Sequence, residues 1–452
     1  MTDTPRQIAL EILNRVEKEE VHADLLLSKY FKRRTDLSSR EKALITELVY
    51  GIIRWRGSID WVIEQFSTYP NRRISRSVRN ILRIGIYQIL YLSNIPISKA
   101  VYTTVDLAKS LTDEKIASMV NGILRNVDRS RAKIKYPSLQ EDPVKAIVVQ
   151  YSHPVWLVER WLHQYGINET ISLCKANNTP PPFTIRTNSL KISRKELIKN
   201  LLKEGVECEP TPHSPEGIIL HQPADVTRFS SFQKGWFMVQ DEAAQMISYL
   251  LAPKPGEKIL DLCAAPGGKT THLAQFMKNQ GCIFAVDIRQ DKIAHLKENQ
   301  SRLGIEIIRT ILADATQKLP LKNNKEFDKI LLDVPCSGLG ILRRHPEGKW
   351  VKSSRTISRL EKIQSDIIQN ASRYVKPGGI MVYSTCTFNP EENENVVDKF
   401  LYGARNKFQL ENPRQNLPSQ VEKFIDNRGY FRTFPSRDNM DGFFAACLRR
   451  IS

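Results

Sequence analysis

Between residues 236 and 452 the sequence alternates short apolar runs with amphipathic stretches, and this alternation constrains the fold more than any other feature. The runs span residues 258–262, 282–287, 309–312, 329–333 and 380–383. Strands that alternate with helices predict a doubly wound parallel sheet, buried on both faces. In such sheets ligands bind at the rim formed by the C-terminal strand ends. Two runs deliver a cysteine to that rim. Residues 329–333 lead into Val334-Pro335-Cys336-Ser337-Gly338, and residues 380–383 into Ser384-Thr385-Cys386-Thr387. A lone cysteine is more often a small buried hydrophobe than a reactive group. Two at one rim, beside a glycine-rich turn, point to chemistry.

A chain of 452 residues is too long for one core and implies two or three domains. No apolar run approaches the roughly 18 residues that span a bilayer; the longest, residues 81–92, is interrupted by Arg83 and Gln88. No apolar signal segment follows Met1, so a cytoplasmic chain is expected. Seven cysteines, an odd number without a C-x-x-C pair, argue against both a disulfide framework and a structural zinc site. The net charge of +18 is uneven: +9 over residues 1–136, +1 over 137–240 and +8 over 241–452. Basic ends flanking a neutral middle suggest a polyanion that touches two domains.

Residues 5–130 read as all-helical, with Ile8, Leu10, Ile12, Leu13 and Val16 on one apolar face and Leu44, Leu48, Ile52 and Ile53 on another. The pattern breaks into a polar linker near Tyr136 to Pro143. A small α+β unit follows. Phe183 to Arg186 alternates as a strand, and Ser193 with Glu196 forms a capping box before a helix that Gly205 ends.

The turn Asp261-Leu262-Cys263-Ala264-Ala265-Pro266-Gly267-Gly268-Lys269-Thr270 joins the first strand to a helix. Its glycines let a ligand approach the backbone closely. A phosphate-binding P-loop needs glycine where Cys263 stands, although Gly268-Lys269-Thr270 matches its end. The carboxylates decide against it. Asp261 ends the first strand; Asp287 ends the second, placed for ribose hydroxyls; Asp314 ends the third, where it can meet an adenine amine or simply cap a helix. Such a row repels a triphosphate. It suits an adenosine bearing a cationic sulfonium, S-adenosylmethionine.

Three motifs in order, Asp261 to Lys269, Asp333-Val334-Pro335-Cys336-Ser337-Gly338 and Ser384-Thr385-Cys386-Thr387, resemble the signatures of the Sun family of RNA cytosine-C5 methyltransferases. The N-terminal part is similar to the RNA-binding fold of the antitermination factor NusB, through residues 43–51, 81–87 and 120–125. The fusion resembles one bacterial subgroup, which modifies cytosine 967 of 16S ribosomal RNA. The resemblance implies an all-α NusB-like domain over 1–135, a small α+β (RRM-like) substrate-binding subdomain over 140–235 and a Rossmann-like catalytic domain over 236–452. It also implies S-adenosylmethionine held by Cys263, Ala264, Ala265, Pro266, Gly267, Gly268, Lys269, Asp287, Asp314 and Asp333, with no metal.

Sequence physics does not say which cysteine attacks. The resemblance makes Cys386 the nucleophile and Cys336 the residue that assists release of the methylated base. Asp333 is expected to touch either the base or the cofactor, and Lys269 to orient Asp333 or the substrate. The stretch Leu342 to Trp350 mixes cations with an aromatic, which suits an unstacked RNA strand; Glu347-Gly348 stands where family members often carry Asp-Ile. The expected substrate is 16S rRNA, naked or in an early assembly intermediate, with no obligate protein partner. A tRNA methyltransferase and a non-catalytic RNA-binding factor are the competing readings. Neither RNA binding alone nor antitermination needs Cys336, Cys386 or Asp287.

Overall fold

The computed structural model describes residues 4–67, 74–221, 225–321, 326–404 and 407–452. The backbone divides into two units. One comprises the chain up to Pro180 together with Leu342–Lys352; the other comprises Pro181–Ile341 and Ser353–Ser452.

The first unit is helical: α1 (Pro5–Glu19), α2 (Ala23–Arg33), α3 (Ser39–Phe66), α4 (Arg76–Tyr91), α5 (Ile97–Leu111), α6 (Glu114–Arg129), α7 (Pro143–Gln150) and α8 (Val155–Asn177). Capping boxes, Thr4 with Gln7 and Ser38 with Glu41, start α1 and α3. The predicted apolar faces converge on one core, where Ile8, Ile12, Leu13, Leu48, Ile52 and Ile53 are buried. Gly51 lets α3 and α4 meet, since a Cβ there would lie 2.0 Å from the Tyr87 hydroxyl oxygen.

Two features of this unit differ from the sequence reading. The stretch 140–235 is shared between the units, because α7 and α8 bury Ala146, Ile147, Leu157, Val158 and Trp161 while the strands begin only at Phe183. And residues 342–352, with the one-turn helix α14 (Gly348–Val351), pack among the helices. The Trp350 indole donates to the Ile53 carbonyl at 2.8 Å, beneath the Arg56 guanidinium 5.2 Å from a ring centroid. Fully buried Lys349 donates to Asn178 Oδ1 at 2.6 Å and to the carbonyls of Arg54 and Ser152 at 3.3 Å each. Glu347 Oε1 lies 2.8 Å from His22 Nδ1. Burial alone would raise the Glu347 carboxyl, but hydrogen bonds with His22 and His345 outweigh it and hold it at about 2. The expectation that this stretch offers cations and an aromatic to RNA is thereby corrected. Arg343 and Lys349 are buried, and the Lys349 ammonium and the Trp350 indole N–H are spent on protein acceptors.

The second unit holds two sheets. The smaller is antiparallel, in the order β2-β3-β1-β4, from β1 (Phe183–Thr187), β2 (Cys208–Pro210), β3 (Gly217–Leu220) and β4 (Phe237–Val239). The helix α9 (Arg194–Lys203) starts at the predicted Ser193–Glu196 capping box, and the short α10 (Ser230–Gln233) precedes β4.

The larger sheet runs β10-β12-β9-β8-β5-β6-β7. The five anticipated strands, β5 (Lys258–Leu262), β6 (Cys282–Asp287), β7 (Ile308–Leu312), β8 (Phe327–Asp333) and β9 (Val375–Thr385), are its parallel part. Helices α11 (Glu242–Leu251), α12 (Gly268–Phe276), α13 (Gln290–Leu303), α15 (Ser354–Ala371) and α16 (Glu394–Gly403) alternate with these strands. The remaining strands, β10 (Phe408–Glu411), β11 (Phe431–Arg432) and β12 (Phe444–Arg450), are antiparallel additions that the parallel-sheet reading missed. Between β10 and β12 lie only the short β11, the single-turn α17 (Pro435–Asp438) and short 3-10 turns. From β5 the chain turns first to β6 on one side and later to β8 on the other. That reversal creates a crevice at the strand ends.

Candidate active site

The glycine turn occupies this crevice. After β5, Ala264 N–H donates to Val286 O at 3.0 Å and Ala265 N–H to Asp287 Oδ2 at 3.1 Å. Gly267, at φ +100°, precedes α12, and a Cβ there would press to 3.0 Å from Leu296. Cys263 adopts a positive φ of 64°. Burial, reinforced by Asp287, Asp333 and Asp261, pushes its thiol well up, so Cys263 lines the turn as a neutral group. The turn is anchored from the smaller sheet by Arg186, which is fully buried. Arg186 donates to Gly268 O at 2.6 Å, to Thr271 Oγ1 at 3.0 Å and to Gln240 Oε1. Burial lowers its guanidinium to about 9. Nothing in the sequence marks Arg186, because its role arises only when β1 meets α12.

The carboxylates stand at successive strand ends. Asp287 Oδ1 accepts from Arg289 N–H at 2.9 Å, which fixes the side chain while each oxygen keeps a lone pair. Asp314 Oδ1 accepts from Thr316 N–H and Oγ1, both at 2.8 Å, so it forms a local turn whatever else it binds. Asp261 is buried beneath the row, its Oδ2 accepting from Thr270 Oγ1 at 2.6 Å. Lys269 Nζ reaches Asp333 Oδ2 at 2.7 Å, and Asp333 Oδ1 accepts from Ser384 Oγ at 3.2 Å. The lysine that a phosphate loop would free for its ligand is thus paired with a carboxylate. A glycine turn beside fixed carboxylates fits the adenosine and sulfonium of S-adenosylmethionine, with Gly267, Gly268, Asp287, Asp314 and Asp333 as its candidate holders.

The two cysteines meet. Cys336 Sγ and Cys386 Sγ lie 3.1 Å apart, and Cys386 N–H donates to Cys336 Sγ at 3.3 Å. Both are half-buried free thiols. The hydrogen bond with Cys386, burial and the neighbouring Cys386 and Glu392 charges push the Cys336 thiol well above its ordinary range. Cys336 is therefore held as a neutral thiol.

Around the pair lies a polar network that the motifs did not disclose. Glu392, fully buried, accepts from Ser337 N–H at 2.7 Å, Ser337 Oγ at 2.5 Å, Gln364 Nε2 at 3.1 Å and Asn389 Nδ2 at 2.9 Å. Ser337 Oγ also lies 3.0 Å from Thr387 Oγ1. In sequence Glu392 is one of several acidic residues near the start of α16, and charge pattern alone assigns these to solvent.

Comparison with known proteins agrees with this geometry. The model of the 16S rRNA methyltransferase RsmB/F family matches residues 248–449, that of the NusB family residues 3–129, and that of the ferredoxin-like domain of RsmF/B-like methyltransferases residues 153–227. The probable ribosomal RNA small subunit methyltransferase B of Bacillus subtilis is 36% identical over 448 residues, 98% of each chain. The ribosomal RNA small subunit methyltransferase B of Proteus mirabilis is 35% identical over 387 residues, 85% of this chain and 89% of its own. The crystal structure of PH0851 superposes with a TM-score of 0.81 at 29% identity, covering 99% of both chains. That of NSun6 from Pyrococcus horikoshii, solved with SFG, gives 0.59 at 25% identity, covering 66% of this chain and 98% of its own. The chain belongs to the RsmB/F family of 16S rRNA methyltransferases: it is an S-adenosylmethionine-dependent RNA methyltransferase with a NusB-like helical part, a ferredoxin-like middle part and a Rossmann-like catalytic part.

Proposed function

We propose that this protein methylates C5 of a cytosine in 16S ribosomal RNA through a covalent adduct with Cys386, giving 5-methylcytosine. The observation that carries this reading is the 3.1 Å contact between two thiols at the strand rim, beside the glycine turn. C5 of cytosine is a poor nucleophile. Addition of the Cys386 sulfur to C6 breaks the ring's conjugation and makes C5 enamine-like, dividing one hard step into easier ones. S-adenosylmethionine, when bound, supplies the electrophilic methyl group. Loss of the C5 proton and expulsion of the Cys386 sulfur then restore the ring. Cys336, held as a thiol against Cys386, is suited to return a proton to the departing sulfur. Lys269 fixes Asp333 at the rim, where its carboxylate can meet the base edge or the cofactor.

The substrate assignment draws on the relatives' activity on small-subunit rRNA and on the NusB-like part, in a chain of net charge +18. The subgroup resemblance points to position 967, in naked RNA or an early assembly intermediate in the cytoplasm. Among the described residues, no helix is long and apolar enough to cross a membrane. Flipping the base from structured RNA costs a few kcal/mol, which phosphate contacts of the basic surfaces can offset.

Cys386→Ala should abolish methyl transfer to an rRNA transcript, whereas Cys336→Ala should accumulate an RNA–protein adduct that survives denaturing gels. The reverse pattern would exchange the two roles. Bisulfite sequencing of rRNA and tRNA from a deletion strain tests the substrate: unchanged rRNA methylation would sink the assignment.

A further inference from the structure

Two consecutive side chains, Glu392 and Asn393, each frame a different cysteine. Glu392 grips the chain on both sides of Cys336. It binds Ser337 directly through N–H and Oγ, and it reaches Pro335 through Gln364, whose Nε2 donates both to Glu392 Oε1 at 3.1 Å and to Pro335 O at 2.9 Å. Asn393 grips the chain on both sides of Cys386. Its Oδ1 accepts from Thr385 Oγ1 at 2.6 Å, and its Nδ2 donates to Thr387 O at 3.0 Å. Both side chains are fully buried. Their backbone is tied down in turn, the Tyr383 hydroxyl donating to Glu392 O at 2.5 Å. A carboxylate with four donors and an amide using both ends are costly to bury unless their geometry is enforced.

We propose that Glu392 and Asn393 are positioning residues with separate duties: Glu392 sets Cys336 for release of the methylated base, and Asn393 sets Cys386 for attack on C6. The division rests on the cysteine roles proposed above. Neither side chain needs to touch RNA or cofactor. Each fixes the two neighbours of one sulfur, and a misplacement of about 1 Å at a reacting atom can cost a hundredfold in rate. Glu392→Gln keeps shape but replaces one acceptor oxygen by an NH2 group that faces donors. Asn393→Ala removes both ties to the Cys386 strand end.

The test uses the full chain, an rRNA transcript and methyl-labelled S-adenosylmethionine, with the adduct resolved on denaturing gels. Glu392→Gln should complete a single methyl transfer but lose turnover by about tenfold to a hundredfold, and it should accumulate adduct as Cys336→Ala does. Asn393→Ala should form little or no adduct and lose single-turnover transfer by a comparable factor. Glu392→Gln combined with Cys336→Ala should be no worse than Cys336→Ala alone. S-adenosylhomocysteine binding, read by calorimetry, should stay within about twofold, since the glycine turn is untouched. If Glu392→Gln fails to fold, Ser337→Ala removes one of the same hydrogen bonds and should show a weaker form of the same adduct. Wild-type turnover in Glu392→Gln, or equal loss of adduct in both variants, overturns the division. If Cys336→Ala itself yields no adduct, the cysteine roles fail instead; if it does and Glu392→Gln does not, only the present inference fails.

Discussion

Asp261 shows how one residue can couple stability to pH. Its Oδ1 is buried without a hydrogen-bond partner among the described residues, and only Oδ2 accepts from Thr270. Burial outweighs that bond and, with Asp333 and Asp287 nearby, raises the carboxyl to about 7. In the unfolded chain it titrates near 4. Between about pH 4 and pH 7 the native state therefore binds more protons, so this group's contribution to stability falls as pH rises and levels off above about 7. At 1.36 kcal/mol per unit the change is at most about 4 kcal/mol. Asp261→Asn, which keeps an acceptor for Thr270, should shrink the difference between urea midpoints at pH 5 and pH 7.5. An equal difference in variant and parent would show that another group carries the slope. At this scale the sequence disclosed the residues whose type is diagnostic in a fixed motif: Cys336, Cys386, Asp287, Gly267 and Gly268. It did not disclose Arg186, Glu392 or Asn393, whose meaning comes from partners far away in the chain.

Between elements, two glycines bring backbone into close contact near the site. Gly340, after the Cys336 motif, donates its N–H to Cys386 O at 3.0 Å and accepts from Gly442 N–H at 2.8 Å, just before β12. A Cβ on Gly340 would lie 2.0 Å from Gly442 O and 2.8 Å from Cys386 O. These are backbone atoms and cannot step aside as a flexible side chain would. Gly340→Ala should therefore lower methyl transfer by roughly a hundredfold while S-adenosylhomocysteine still binds the glycine turn with little change, as calorimetry would show. Unimpaired transfer would mean that the loops shift freely. The parallel strands were legible because a strand buried on both faces must be a short apolar run. Strand β12, with Phe444, Ala445, Ala446, Cys447 and Leu448 all buried, carries the same signal. It nevertheless pairs antiparallel with both β9 and β10, and periodicity does not encode strand direction.

Over the whole molecule, the least predictable feature is that residues 342–352 belong to the helical unit. The three acceptors on Lys349 come from α3, the turn before α8 and the end of α8. Lys349→Met would leave all three without their donor, a loss on the order of 3 kcal/mol. Hydrogen exchange should speed in α3 and α8 and leave β5 and β8 unchanged. Uniform acceleration, or none, would contradict a role confined to the helical unit. Composition favoured an exposed RNA-facing loop here, because Arg343, Arg344, Lys349 and Trp350 look the same whether their partners are phosphates or carbonyls. The broad order of helical, mixed and α/β segments needed only periodicity; the excursion needed the packing.

That excursion also sets an order of events during synthesis. The first 180 residues leave the ribosome with every long helix of their unit already made, yet the pieces that receive Lys349 and Trp350 stand incomplete. Their missing part arrives only after some 170 further residues, roughly ten to thirty seconds at 5–20 residues per second. During that interval the nascent helices carry open carbonyls around Ser152 and Arg54, the acceptors that Lys349 later fills. The last step in building the helical unit thus waits for the chain to have been translated past Cys336.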